Sequence, residues 1–508
     1  MVKKYIFYDL ETTGRGKKEN RNSFATSPKW EQILQIAAII TDENFQITNQ
    51  NMNIFCRPRT SIISQPGALL TTGRGIKEIM NAELSSYELI KKINSTFELW
   101  KRDNSETVFI GHNSINFDET VLEYNLFTNL FYPYPTRVKR GDTLNLARGL
   151  YASNPSSINT DFTEKGNPSF KLEKLAELNG LPVEFAHDAF SDVKTSIELA
   201  KFIKEKDTKL WNSLVYTMDK KQAVEYINNN SGLTYLTNFG GRISLEALSM
   251  VCESKVYPGM YHTLKLSTDP TPLLEANSME FNNLLNKKPS KNRWLTTGDH
   301  PIFLDNSFAV HYKPYDEIGS EVLNKRKKII FKNENLANKF KMFEIEKRIE
   351  KEETTSQDNF FPESKANIFF NFKEQSIFEK FHQEKEWKEK YKIALSIKDP
   401  NASFILKRLI FDENPTILSN DDFKKIHKEL HDRLVINQER PFTTIPEAMT
   451  QIDTEFSKIE DGDDKNKEEK ISILRDYNKY LTFIEKYFSN QNAEPLPEGS
   501  KLSKHIFG

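Results

Sequence analysis

The chain has 508 residues, a length that predicts about two to four domains. Its 71 Lys and Arg residues balance 72 Asp and Glu residues, which excludes a uniformly basic coat for nucleic acid and an acidic disordered tail. Aromatic residues make up 12% of the chain, enough for several cores and for stacking surfaces. Two cysteines exclude a disulfide scaffold, and no apolar run approaches the ~18 residues of a membrane span. We therefore expect a cytoplasmic protein with no membrane partner.

The first 205 residues alternate strand-like and helix-like segments. Apolar, β-rich runs predict three strands, at 5–8, 33–41 and 108–111. Helical periodicity predicts a helix over 169–179 and another that includes Ala189, Val193, Ile197 and Ala200. This alternation is typical of an α/β domain, which we place at 1–205.

The rest of the chain changes character twice. Short strand-like segments with turns predict a mostly β module over 206–350, with strands at 232–237, 256–263, 302–304 and 308–312. From 351 to 508 the chain is helical and highly charged, which predicts a helical C-terminal domain. We expect roughly the last 15 residues to be loosely ordered.

The first predicted strand ends in an acid-x-acid triplet, Asp9-Leu10-Glu11. Positions i and i+2 of a strand point to one face, so the two carboxylates lie side by side. Two such anions repel each other unless a cation lies between them, and oxygen ligands suit Mg²⁺ or Mn²⁺. Taken alone, the triplet could equally be a solvated strand end.

Two later segments carry acids that could face the same site. Asp118 follows the third strand at or near a helix start, where helix capping is the alternative role. Asp192 lies inside the amphipathic helix, and His187 lies five residues earlier, on the loop or first turn. A lone histidine there is more often structural, yet His is the side chain best suited to proton transfer near neutral pH. Four carboxylates and one His in this order are the set that two-metal phosphodiester hydrolysis requires.

The ordered set resembles the DnaQ-like (DEDDh) 3′→5′ exonuclease superfamily, and within it most closely the bacterial exonuclease I family. The stretches 65–73, 167–173 and 187–193 also match the pattern of that family. The resemblance is strong over 1–205 and weaker but collinear to about residue 440. It implies a ribonuclease H-like exonuclease domain, an SH3-like domain over 206–350 and a helical domain over 351–508. Together these would form a C-shaped clamp over single-stranded DNA.

The resemblance also implies roles for the site residues. Asp9, Glu11, Asp118 and Asp192 would hold two Mg²⁺ ions, for which Mn²⁺ could substitute, with Glu11 also contacting the substrate and His187 as general base. Catalysis would then depend on these five residues.

Two features near the site concern substrate binding or depart from the family pattern. Lys171 stands where the family has Arg at a phosphate-contacting position, and Lys keeps the charge but loses the bidentate fork. Leu69 and Leu70 could wedge against the terminal base or simply pack in the core. The stretch between Gly14 and Gln35 is longer than is usual in the family, and we interpret it as a surface insertion rather than a DNA-contacting loop.

An aromatic-then-basic run follows the helix predicted to carry Asp118. Single strands bind to aromatic rings beside a positively charged groove. We therefore predict substrate contacts by Phe127, Tyr132, Tyr134, Arg137 and Lys139, with a core-packing helix end and a solvated loop as the alternative. Two further basic runs, 287–293 and 325–328, are plain surface, or face DNA or an acidic peptide. The resemblance suggests that this peptide is the acidic C-terminal tail of single-stranded-DNA-binding protein.

Three functions fit the sequence. The first is a processive 3′→5′ exodeoxyribonuclease that converts single-stranded DNA to nucleoside 5′-monophosphates in DNA repair and recombination, working as a monomer. The second is an exoribonuclease or a proofreading exonuclease, which is typically little more than the catalytic domain. The third is a catalytically silent nucleic-acid-binding scaffold. We favour the first, because roughly 300 residues follow the catalytic domain and because a binder of polyanions gains nothing from clustered carboxylates.

Overall fold

The computed structural model describes residues 3–18, 26–103, 106–137, 139–183, 188–239, 241–305, 311–352, 361, 363, 372–462, 466–497 and 499–508. Within these ranges, none of the helices combines the length and the apolar character that crossing a membrane requires.

The N-terminal region contains nine strands and nine helices among the described residues. The strands are β1 (Lys4–Thr12), β2 (Lys17–Lys18), β3 (Thr26–Ser27), β4 (Ile33–Thr41), β5 (Ile47–Phe55), β6 (Thr107–Gly111), β7 (Arg140–Asp142), β8 (Asp161–Phe162) and β9 (Pro168–Ser169). The helices are α1 (Pro66–Thr72), α2 (Ile76–Ile79), α3 (Ser86–Asp103), α4 (Asp118–Thr128), α5 (Thr143–Ser153), α6 (Leu172–Leu178), α7 (Ala189–Lys206), α8 (Thr208–Tyr216) and α9 (Lys220–Asn229). The three predicted strands are β1, β4 and β6, and the two predicted helices are α6 and α7.

Five of these strands form one sheet in the order β5-β4-β1-β6-β7. β1 pairs with β6 in parallel and with β4 in antiparallel orientation, so it is the central strand. Its side chains alternate between two cores because successive residues of a strand point to opposite faces. Ile6, Tyr8 and Leu10 pack with residues of α3 and α4, whereas Tyr5 and Phe7 pack with residues of α5 and α7. This alternation assigns Asp9 and Glu11 to the face covered by α7.

The middle region is a second five-stranded sheet, in the order β13-β12-β11-β10-β14 with every neighbouring pair antiparallel. Its strands are β10 (Leu233–Phe239), β11 (Arg242–Glu253), β12 (Met260–Lys265), β13 (Asn292–Thr296) and β14 (Phe303–Leu304). Five helices accompany it, namely α10 (Thr271–Glu275), α11 (Ser278–Asn286), α12 (Tyr315–Ile318), α13 (Ser320–Ile330) and α14 (Glu334–Glu352). The strand predicted at 308–312 falls mainly on 306–310, which lie outside the described residues.

The C-terminal region consists of helices joined by loops in its described part. Its helices are α15 (Phe372–Gln383), α16 (Trp387–Ser396), α17 (Pro400–Glu413), α18 (Asn420–Leu434), α19 (Ile445–Asp461), α20 (Lys467–Ser489) and α21 (Gly499–Phe507). They share one apolar core with β1, α3 and α4, and Tyr477 of α20 donates a hydrogen bond to the Ser64 carbonyl oxygen at 2.5 Å. The predicted fold class, an α/β domain followed by a β module and a helical region, is confirmed. The domain bounds at 205 and 350 stay predictions.

One expectation about the C-terminus was wrong. The last residues are not loosely ordered, because 499–507 form α21. Leu502 and Ile506 of this helix are buried in the core that the helical region shares with the first sheet. Burial of two large apolar side chains stabilises the end of the chain.

Candidate active site

The carboxyl end of β1 brings three of the predicted acids together. One carboxylate oxygen from each of Asp9, Glu11 and Asp192 lies within 4.8 Å of the other two. Asp192 is in the first turn of α7, whose N-cap residue, Asp188, accepts a hydrogen bond from the Ser191 N–H. This cap fixes where the helix begins, and with it the position from which Asp192 reaches the strand.

Asp118 reaches the same end of β1 from α4. It is the first residue of that helix, and its Oδ1 accepts a hydrogen bond from the Leu10 N–H at 3.0 Å. The bond fixes the Asp118 carboxylate against the backbone between Asp9 and Glu11. All four predicted carboxylates are thus gathered at one strand end, whereas His187 lies outside the described residues.

Burial and mutual repulsion disfavour the charged forms of these carboxylates. Burial, followed by the charges of Asp118, Glu11 and Asp192, raises the pKa of Asp9 well above its usual range. Burial also raises the pKa of Glu11 to about 8, with Asp192 and Asp118 adding to it, and raises the pKa of Asp118 to about 7. A divalent cation among them would offset both effects, and a donor set made only of oxygens suits such a hard ion.

A buried acid that the sequence analysis missed holds the loop before α4. Asp142 is fully buried and is the N-cap of α5, accepting from the Leu144 N–H at 2.9 Å. Its Oδ1 also accepts from the N–H of Asn113 at 2.8 Å, and Asn113 has a φ of 62°. Burial raises the pKa of Asp142 to about 6. The sequence did place an Asp directly before a helical pattern. That position predicts a helix cap, but it does not predict a contact with a loop 29 residues away.

Two clefts meet at Glu11. The β5 cleft, of about 420 Å³, runs between the ends of β4 and β5 and the helices α1 and α2. The α19 cleft, of about 640 Å³, runs between the segment 14–17, α1 and helix α19. Glu11, Thr12 and Ala68 line both clefts. Of the four carboxylates, Glu11 is the one that lines these two clefts.

The two leucines considered as wedges against the terminal base differ in their surroundings. In the described part of the chain, Leu70 lines neither cleft and packs partly against the shared core. Its neighbour Leu69 lines the β5 cleft, but it is buried in the core as well. Successive residues of an α-helix are rotated by about 100° around its axis, so the two side chains point in different directions. Leu70 is half-buried, and its role as a substrate contact stays a prediction.

Lys171 lies beside the loop that leads to Asp118. It is the exposed N-cap residue of α6, and the carbonyl oxygen of the preceding Phe170 is 2.9 Å from Nε2 of His112. His112 follows β6 directly and lies one residue before Asn113 of that loop. This position is compatible with a phosphate contact near the carboxylates, and the role of Lys171 stays a prediction.

Phe127 is a predicted contact that the structure contradicts. It is only 2% exposed and packs in the core that α4 shares with α3. A buried ring cannot stack on a base, so the alternative of a core-packing helix end applies to this residue. It also lies nine residues along α4 from Asp118, which is roughly 14 Å at the rise of an α-helix.

The rest of the aromatic-then-basic run is accessible, but its positive charges already have partners. Tyr132 is 62% exposed, and Tyr134 lies under the guanidinium of Arg137, 4.4 Å from ring centroid to Cζ. Arg137 donates two hydrogen bonds to Glu123, at 2.5 and 2.7 Å. Lys139 forms ion pairs with Glu106 and Asp219, at 2.8 and 3.5 Å. A phosphate would have to compete with these carboxylates, and the four substrate contacts stay predictions.

The two other basic runs lie on the middle region and are also partly engaged. Arg293 donates two hydrogen bonds to Glu246, at 2.8 and 2.6 Å, and Lys291 donates to the Leu284 carbonyl oxygen. Arg326 donates to the Leu266 carbonyl oxygen at 2.8 Å. Their use by DNA or by an acidic peptide stays a prediction.

Sequence comparison finds similarity to exonucleases in the first region. Residues 6–200 match the RNase_T family model, described as an exonuclease. Exodeoxyribonuclease I of Haemophilus influenzae is 32% identical over 249 residues, 48% of this chain and 49% of the relative. Exodeoxyribonuclease I of Escherichia coli is 30% identical over 228 residues, 44% of this chain and 45% of the relative. The chain thus spans about half the length of the curated relatives it matches.

Similarity of the fold extends along nearly the whole chain. Exonuclease I of Methylocaldum szegediense superposes with a TM-score of 0.75 at 21% identity, covering 94% of this chain and 99% of that one. Escherichia coli exonuclease I in complex with a dA16 oligonucleotide gives a TM-score of 0.74 at 22% identity, covering 95% and 100%. A structure described as SSB/exonuclease I with an inhibitor gives a TM-score of 0.73 at 21% identity, covering 95% of this chain and 100% of that one. At these identities the superpositions establish the fold.

Proposed function

We propose that the protein is a 3′→5′ exodeoxyribonuclease acting on single-stranded DNA, from the match of residues 6–200 to the RNase_T exonuclease model and from the exonuclease I fold of the chain. The observation that carries the proposal is the approach of Asp9, Glu11 and Asp192 to within 4.8 Å, with Asp118 bonded to the same strand end. A nucleic-acid binder would not place these anions at the junction of two clefts, because they repel phosphates.

We propose Asp9, Glu11, Asp118 and Asp192 as the ligands of two divalent ions, Mg²⁺ with Mn²⁺ as a substitute. These residues fit such ions because burial raises the pKa values of Asp9, Glu11 and Asp118. A bound cation would supply the positive charge that stabilises their anions. When bound, such ions supply Lewis-acid activation of the scissile phosphate and of the attacking water.

The chain itself would orient the reacting groups and move the proton. The hydrogen bond from the Leu10 N–H holds Asp118, and the helix cap at Asp188 positions Asp192. His187 would take the proton of the attacking water as general base. Hydrolysis at the 3′ end would then release nucleoside 5′-monophosphates one at a time.

The remaining expectations belong to the same proposal. We propose processive action by a monomer of the cytoplasm in DNA repair and recombination, with three domains bounded at 205 and 350. We also propose single-stranded-DNA-binding protein as a partner through its acidic C-terminal tail. The SSB/exonuclease I structure supports this pairing for a protein of the same fold.

Degradation of end-labelled substrates tests the proposed function. Single-stranded DNA, duplex DNA and RNA, each labelled at the 3′ end, are incubated with the protein and either Mg²⁺ or EDTA. We expect Mg²⁺-dependent shortening of single-stranded DNA in preference to the other two. Preferential shortening of RNA would indicate an exoribonuclease, and no shortening of any substrate would indicate a silent scaffold.

A pair of variants connects the activity to the carboxylate cluster. Asp118→Ala should abolish Mg²⁺-dependent turnover while leaving the circular dichroism spectrum unchanged. Asp161→Asn is the matched control, because Asp161 is an exposed acid of the same region that lines neither cleft among the described residues. The ligand assignment fails if Asp118→Ala retains activity.

A further inference from the structure

Two clefts in the described part of the chain lead away from Glu11 and offer a path to a strand whose 3′ end lies at the carboxylates. The β5 cleft is bounded by the first region alone. The α19 cleft has one wall in the first region, with Arg15 and Lys17, and the other in the helical region, with Thr454, Glu455 and Lys458 of α19. A polymer is enclosed on two sides only in the second case.

Apart from Glu11, which lines both, the two clefts differ in the sign of their charge once ion pairs are counted. Besides Glu11, the β5 cleft contains Arg74, Glu78 and Glu83, and Arg74 is paired with Glu78 at 2.8 Å. One negative charge therefore remains. A chain of phosphates is disfavoured beside such a surplus.

The α19 cleft retains a positive charge. Lys458 is paired with Glu455 at 2.6 Å, and both side chains reach solvent. Lys17 is paired with Glu447 at 2.6 Å. Arg15 is exposed and has no ion-pair partner among the described residues. The positive charge of Arg15 therefore lies at the rim of the cleft that both regions enclose.

The backbone around Arg15 is held in place. Gly16 has a φ of 77°, and a Cβ there would collide with the Ser27 carbonyl oxygen, so only glycine fits. Gln65 accepts a hydrogen bond from the Arg15 N–H at 3.0 Å and donates to the Gly16 carbonyl oxygen at 3.2 Å. The Lys17–Glu447 pair connects this turn to α19. The guanidinium is therefore presented from a fixed turn facing the helical region.

We propose that the α19 cleft holds the sugar-phosphate backbone of the strand behind its 3′-terminal nucleotide. Arg15 would pair a phosphate from one wall, and Lys458 would exchange Glu455 for a phosphate on the opposite wall. This inference rests on the proposed function and specifies the path of its substrate. It also gives the described part of the stretch between Gly14 and Gln35, which we interpreted from the sequence as a surface insertion, a DNA-contacting role. The chain differs from the family pattern in this stretch.

Salt-dependent binding of a dT16 oligonucleotide tests the inference. Affinity is measured by fluorescence anisotropy in EDTA over a range of KCl concentrations for Arg15→Ala, Lys458→Ala and the double variant. Each phosphate contact on a single strand contributes about 0.7 to the slope of log K against log salt, or about fourfold in affinity at 0.15 M salt. We expect each single alanine variant to lose about 0.7 in slope and about fourfold in affinity, and the double variant to lose about twice that slope. Arg15→Lys should retain most of the affinity that Arg15→Ala loses.

Lys392→Ala is a closely matched control. Lys392 is 62% exposed and paired with Glu389 three residues earlier at 2.7 Å, whereas Lys458 is 64% exposed and paired with Glu455 three residues earlier at 2.6 Å. Lys392 lies in α16 and lines neither cleft among the described residues. Its removal should leave the affinity and the salt slope unchanged.

The outcomes separate this inference from the function on which it rests. Wild-type affinity and salt slope in the double variant would overturn the inference, even if the protein degrades single-stranded DNA. An equal loss in Lys392→Ala would overturn it too, because any surface lysine would then have the same effect. Binding that weakens as expected in a protein that hydrolyses no DNA would support the path and refute the proposed function.

Discussion

Replacing Asp118 by Asn should stabilise the metal-free protein at high pH while it abolishes the proposed activity. The side chain is 3% exposed, and the charges of Asp142 and Asp192 add to the effect of burial on its pKa. Asn keeps an oxygen that can accept the hydrogen bond from the Leu10 N–H. The substitution therefore removes a charge without removing the contact that positions the side chain.

The sign and size of the effect follow from the shifted pKa. Burial raises the pKa of Asp118 from 3.8 to about 7 in the folded protein. A carboxyl group with a raised folded pKa contributes its full stability below about pH 4 and loses it as the pH rises through 7. A gap of about three pKa units corresponds to an upper limit of about 4 kcal/mol at pH 8. For a unit of about 200 residues, each kcal/mol moves the melting temperature by about 2–4 °C.

Thermal unfolding in EDTA at pH 5 and pH 8 measures the effect. We expect Asp118→Asn to melt several degrees above the wild type at pH 8, with a smaller difference at pH 5. Added Mg²⁺ should raise the melting temperature of the wild type more than that of the variant, because the variant has lost a proposed ligand.

Asp422→Asn is the control with the opposite sign. Asp422 also lies in the first turn of a helix, but the Tyr391 hydrogen bond and the Lys407 ammonium outweigh burial and hold its pKa below the usual range. Its replacement should lower stability at pH 8. A melting temperature of Asp118→Asn at or below that of the wild type at pH 8 in EDTA would refute the reasoning about the cluster.

Three further predictions concern single side chains. His187→Ala should lower turnover about 10²-fold at neutral pH, as loss of a general base does; near-normal turnover would remove His187 from the mechanism. Phe127→Ala should lower the free energy of unfolding, measured in urea, by about 3–5 kcal/mol without weakening DNA binding. Tyr132→Ala should weaken dT16 binding by about 1–3 kcal/mol if that exposed ring stacks on a base. The reverse pattern would restore Phe127 as a substrate contact. Burial raises the pKa of Glu31 from 4.5 to about 7 although Thr13 donates a hydrogen bond to it. The contribution of Glu31 to the free energy of unfolding is therefore complete below pH 4.5 and is lost as the pH rises through 7. Glu31→Gln should raise the free energy of unfolding by up to about 3 kcal/mol at pH 8 and change it little at pH 4. A difference between variant and wild type that does not depend on pH would contradict the shifted pKa.

The sequence by itself determined the fold class and the acids of the site, because both depend on local periodicity and chain order. Period two assigned Asp9 and Glu11 to one face of a strand, and period 3.6 predicted the helix that carries Asp192. The same periodicity could not show that α21 packs into a core assembled from distant parts of the chain.

Only the tertiary structure decided which of the other candidates can meet a substrate. Phe127 and Tyr132 are both aromatic residues near the end of α4, yet one is buried and the other is exposed. Arg137 is a cation in the sequence, but Glu123 accepts its hydrogen bonds in the fold, while Arg15 lies at the rim of a cleft closed by a helix more than 400 residues later. The physical reason is that burial, ion pairing and the walls of a cleft depend on which elements pack together, and contacts of this kind leave no periodic pattern in the sequence.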